Sequence, residues 1–217
     1  MTDNENTPAP APEAEPETVA LWRLETGSAR ALAAEAERFD DLQTALRCCE
    51  RILPELGRAA GGFPDSVLLV EALWTLALTS YARCFSDDAD GDCLSEADVV
   101  EAHPENQEVA DWHRALMRLR VHYASASANP REAVSVSVVR DADGAAAGIA
   151  LTSAVQPPLD EVTVRSAGTI AYALSAVLDE RIARRQGELF AEVGALAPAA
   201  LDALEEWRAE RVAAPSA

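Results

Sequence analysis

A mainly α-helical bundle with one small β-hairpin is the fold class this sequence predicts, and three observations carry it. Apolar residues recur at helical spacing in four long segments. One stretch, EAVSVSVVR (Glu132 to Arg140), alternates with period two instead. Turn-forming strings, among them GRAAGGFP, DADG and Pro157-Pro158, separate these segments.

In chain order, residues 1–17 carry Pro8, Pro10, Pro12, Pro16 and five acids, a composition too polar to bury a core. A disordered acidic Pro/Ala-rich tail is expected there, then a single helical domain over 18–212, then a frayed end at 213–217. Leu21, Trp22 and Leu24 form an apolar knot in a short amphipathic segment that docks on the domain. Asp40 as N-cap, with Gln43 at the capping-box position, opens the first clear helix. Leu42, Ala45, Leu46, Cys49, Ile52, Leu53 and Leu56 share its face, and Pro54 should kink or shorten its last turn. From Asp65 or Ser66 to about Phe85 the pattern is apolar nearly all round, which predicts a central helix.

Ser86 to Asp98 reads as a solvated acidic loop. With Gly91 at the sixth EF-hand position, Asp88 and Asp90 align, but Ala97 falls where a bidentate Glu is required. No metal site is expected. Glu105 to about Ala124 forms a third helix, with Val109, Trp112, Leu116, Leu119 and Tyr123 as its apolar stripe. The hairpin, at about 133–153, turns at Asp141 to Gly144 and returns through GIALT. Residues from about 160 to 194 read as one helix, with Ile170, Leu174, Val177, Leu178, Ile182 and Phe190 along one side. At 1.5 Å per residue it would run roughly 50 Å. That is longer than a small bundle needs, so a protruding end or a partner subunit against it is expected. LDALEEWRAERV closes the chain as a short helix.

Composition narrows function. Apolar residues make up 49%, much of it alanine, and all 18 basic residues are Arg. A net charge of −19 disfavours RNA as a partner and weakens any attraction to anionic membrane. The run VLLVEALWTLAL is too short to span a bilayer. The N-terminus lacks the basic and apolar regions of a signal peptide, and Cys48, Cys49, Cys84 and Cys93 form no CxxC pair. A cytoplasmic protein with reduced, structural cysteines is expected. There is no phosphate-binding Gly loop, nucleophile elbow or HExxH, and His103, His113 and His122 lack zinc spacing with the cysteines. No cofactor is expected.

The third helix ends in a cluster of basic side chains. Arg114, Arg118 and His122 lie at i, i+4 and i+8 opposite the apolar stripe, where cations also complement the helix dipole. Arg120 falls just off the stripe and is expected at the core edge, paired with Glu71. Candidate binding residues are Arg114, Arg118, Arg120, His122 and Asn129.

The succession ALTSYARCF, an acidic loop with CL, LRVHYASASANP and a valine-rich strand resembles HEPN-like helical proteins over about Val67 to Val139. More closely it is similar to a bacterial group whose second helix ends with an Arg, five residues and a His, followed by Ser-x-Asn. The resemblance implies a helical bundle that dimerises. In HEPN ribonucleases the Arg and His are implicated in metal-independent RNA cleavage, often across the dimer interface. By position Arg120 matches the Arg, and Ser127 and Asn129 match the Ser and Asn, but Ala126 stands where the His belongs. The first expectation is therefore a non-enzymatic interaction or regulatory protein with a degenerate HEPN-like core, acting as a homodimer or with another protein. Two alternatives stand beside it. One is a metal-independent ribonuclease using Arg120 and His122; the other is an acidic, antitoxin-like binder of a basic partner.

Overall fold

The computed structural model describes residues 21–86, 93–106, 108–124, 132–155, 158–204 and 206–207. The tail at 1–17 and the end at 213–217 lie outside them. In chain order the elements are β1 (Leu21–Trp22), α1 (Gly27–Ala60), α2 (Pro64–Arg83), α3 (Glu96–Glu101), α4 (Val109–Ala124), β2 (Glu132–Arg140), β3 (Ala146–Val155), α5 (Glu161–Gly194), α6 (Pro198–Leu201) and β4 (Glu206–Trp207). The chain divides into two compact units, Thr26–Gly194 and a terminal unit of Met1–Glu25 with Ala195–Ala217. Among the described residues no helix is long and apolar enough to cross a membrane.

In the terminal unit, β1 and β4 pair antiparallel, Leu21 opposite Trp207 and Trp22 opposite Glu206. Leu21 and Trp22 of the apolar knot thus form a short strand. Of the expected closing helix over LDALEEWRAERV, Leu201 ends α6 and Glu206 and Trp207 form β4, while residues 205 and 208–212 lie outside the described residues.

The larger unit is built around α1. It starts well before Asp40: Thr26 caps it, its hydroxyl accepting from the Ala29 N–H at 3.1 Å. The run GSARALAAEAER supplies strong helix formers upstream of the expected cap, so Asp40 sits exposed in mid-helix. Pro54 lies inside α1 without ending it. The carbonyl it orphans belongs to Glu50, and both residues face water, which satisfies the freed acceptor. Gly62, at φ 78°, turns the chain into α2.

The central helix is α1, which packs against both α2 and α5; α2 leaves Leu68 and Leu76 exposed. An apolar perimeter alone did not identify the innermost helix. Leu42, Ala45, Cys49 and Ile52 of α1 meet Trp74, Leu78 and Tyr81 of α2 and Ile170, Leu174 and Leu178 of α5 in one core. Small residues bring α5 close: a Cβ added at Gly168 would lie 3.5 Å from the Cys49 Cβ. The long C-terminal helix and the hairpin before it stand as expected.

Part of the expected acidic loop is helical. Ser95 and Asp98 form a capping box that starts α3, and Asp98 also pairs with Arg181 of α5. Burial raises the Asp98 pKa, but hydrogen bonds from Ser95 and the Arg181 charge outweigh it and hold the carboxyl below its usual range. Residues 87–92, where the EF-hand alignment placed Asp88, Asp90 and Gly91, lie outside the described residues.

Candidate functional site

On α4, Val109, His113 and Leu116 are buried and Trp112, Leu119 and Tyr123 half-buried. The His113 Nδ1 lies 2.8 Å from the Tyr81 hydroxyl, with the Phe85 ring against it. Burial lowers the His113 pKa; Arg114 adds to this and Glu96 opposes it. Burial also raises Tyr81, which keeps its proton.

The basic row does not form a convergent site. Arg114 is exposed but engaged, bonding Glu96 of α3 through Nε at 3.1 Å and Asp111 at 2.8 Å. Arg118 is exposed, and His122 is half-buried with its ring edge toward Tyr123. Arg120 is exposed too, not at the core edge, and no ion pair joins it to Glu71 among the described residues. It lies roughly 60° from the centre of the apolar stripe, where a long side chain reaches water at little cost. The half-buried Glu71 instead lies near Tyr123, whose pKa is raised by burial first and by the Glu71 charge second. Arg120 and His122, two positions apart on a helix, project about 200° from each other, so within one chain they do not converge on one phosphate. Ala126, Ser127 and Asn129 fall outside the described residues. Among those described, no group of three or more His, Cys, Asp or Glu is placed to hold a metal.

The hairpin offers a different surface. Asp141 builds its turn: Oδ1 accepts from the Asp143 and Ala145 N–H groups at 3.1 and 2.8 Å, and Gly144 takes φ 82°. The register opposes Val134 to Ser153, Val136 to Leu151 and Val138 to Ile149. Opposed residues share a face, so these five apolar side chains form one stripe. The other face carries Ser135, Ser137, Ala150 and Thr152. In a helical protein such a stripe should rest on a helix. It does not. Val134 is 60% exposed, Val136 68%, Val138 58%, Ile149 67% and Leu151 75%. Among the described residues neither strand packs to any extent against another element, and neither outer edge pairs with a further strand. The alternation was legible in the sequence; the missing cover was not, because period two marks which residues share a face and is silent about what lies on it.

A second feature went unforeseen. On α1, Glu35, Arg38 and Asp41 are buried one turn apart, above the apolar part of the core face. Glu35 pairs with Arg185 of α5 at 2.9 Å, and Asp41 takes both Nε, at 2.8 Å, and a terminal nitrogen of Arg83 from α2. Arg38, between them and 4% exposed, has no hydrogen-bond partner for any guanidinium nitrogen. Beside it Cys84 hydrogen-bonds the Arg38 carbonyl at 3.4 Å, its thiol pushed up to about 12 chiefly by burial.

No family model, curated protein or solved structure matches this chain.

Proposed function

We propose that this protein is a non-enzymatic helical interaction protein, with a degenerate HEPN-like core, that works as a homodimer through its hairpin. The observation that carries this is the apolar stripe Val134, Val136, Val138, Ile149 and Leu151, exposed on a hairpin that packs to no extent against another described element. A lone two-stranded hairpin is marginally stable in water, so a cover for this stripe stabilises both strands.

A second copy fits as the cover. Between residues 133 and 155 the ionisable groups are Arg140, Asp141 and Asp143, all at the turn end. Two chains of charge −19 repel over most approaches; a neutral projecting stripe lets them meet. A basic partner would be recognised by carboxylates, which this face lacks. Two such faces packed as stacked sheets cover on the order of 1,000 Å², near the lower bound for a specific interface. The expected dimer is accordingly of micromolar strength. Light scattering across a concentration series tests it: wild type should approach twice the chain mass of 23.1 kDa, and Val136→Asp should stay at the monomer mass with unchanged helical circular dichroism. A wild type that stays monomeric at hundreds of micromolar contradicts the proposal.

A further inference from the structure

Arg38 opens the second question. Of the buried carboxylates one turn away on α1, Asp41 is bonded by Arg83, and Glu35 lies 2.9 Å from the Arg185 Nε although neither of its oxygens, like the Arg38 nitrogens, has a hydrogen-bond partner. A buried guanidinium in that position calls for an anionic partner. It lines a cleft of about 580 Å³ between α1 and the end of α2, with Glu37, Asp40, Asp41, Thr44, Arg83 and Ser86. That volume lies within the range of small-molecule sites.

The charges around the cleft narrow the ligand. Glu37 and Asp40 are exposed, one helical turn apart on the same face of α1. They repel a simple anion from Arg38 and attract a cationic group. We infer that the cleft binds a small zwitterion of the free amino-acid class, its carboxylate on the Arg38 guanidinium and its ammonium between Glu37 and Asp40. The Arg38 nitrogens are shielded from solvent in the unliganded arrangement. The carboxylate therefore parts the side chains over them, with the Arg83 pair to Asp41 left in place. Thr44 and Ser86 supply hydroxyls for the rest of the ligand.

Calorimetric titration of the full chain with glycine, glutamate and arginine, and separately with sodium acetate, inorganic phosphate and methylammonium chloride, tests the site. At least one amino acid should bind saturably at one per chain, with acetate, phosphate and methylammonium each weaker by about tenfold or more. Arg38→Met should weaken that amino acid at least about tenfold, and Asp40→Asn should weaken it while leaving acetate unweakened. Thermal unfolding supplies a second reading: unliganded Arg38→Met should melt no lower than wild type, since the substitution removes a buried charge without a partner. Failure of every amino acid to bind at about 10 mM overturns the inference. So does binding unaffected by Arg38→Met, or acetate or phosphate binding as tightly as the best amino acid. A melting temperature several degrees lower in Arg38→Met would show that the protein itself holds this charge, and would also overturn it.

Discussion

Cysteine and histidine show at the residue scale how burial sets chemistry here. Cys48, Cys49 and Cys84 are buried, and burial pushes all three thiols up, Cys49 and Cys84 to about 12. The thiolate is the nucleophile, so native alkylation should label the partly exposed Cys93 first. The other three should react only in denaturant. Mass spectrometry of the alkylated chain checks this. His113 titrates in the opposite sense. Its folded pKa lies below the ordinary 6.5 because burial disfavours the charged ring. Its contribution to stability is complete above that value and is lost as pH falls through it toward the lower folded pKa. The melting-temperature gap between wild type and His113→Phe should therefore narrow from pH 7 to pH 5.5. None of this follows from spacing alone. The Tyr81 hydroxyl that meets His113 comes from a helix more than thirty positions away in the chain.

At the scale of elements, the capping box of α3 is a direct stability test. Asp98 bonds the Ser95 backbone and hydroxyl, each at 2.7 Å, and pairs with Arg181. Asp98→Ala should cost about 1–2 kcal/mol, read by urea unfolding. Ser95→Ala, which keeps the α5 contact, should cost less. The elements best read from sequence are α2, α4, α5 and the hairpin, where one period persists over many residues. The misread ones had a competing signal. Asp40 offered a plausible cap, yet helix-forming residues before it carry α1 back to Gly27. Pro54 signalled a break that an exposed orphan carbonyl makes tolerable. The strand at Leu21 and Trp22 went unread because a two-residue strand has no period to read, and its partner stands at the other end of the chain. Arg120 was drawn to the core edge by an angular argument that did not allow for the reach of its side chain.

For the whole molecule, two surfaces of different chemistry follow from one composition. Alanine-rich helices pack closely and leave charge outside, so the body carries the acidity that keeps chains apart. The hairpin carries valine, isoleucine and leucine with almost no charge and projects the one β-structured apolar stripe of the Thr26–Gly194 unit among the described residues. Ion pairing accounts for Arg83, Arg114, Arg181 and Arg185, whereas the basic end of α4 supplies no convergent pair of Arg120 and His122. An interaction protein is the reading that uses the feature the fold leaves uncovered. The proposed dimer should be largely indifferent to salt, since apolar burial is not screened, and added salt should if anything strengthen it by damping repulsion between acidic bodies. The most direct measurement is hydrogen exchange of the β2 and β3 amides at low and high protein concentration. The account predicts that protection of 132–155 rises with concentration while α1 is unchanged, and that Leu151→Asp abolishes the rise. Hairpin protection that is independent of concentration, in a chain that stays monomeric throughout, would contradict it.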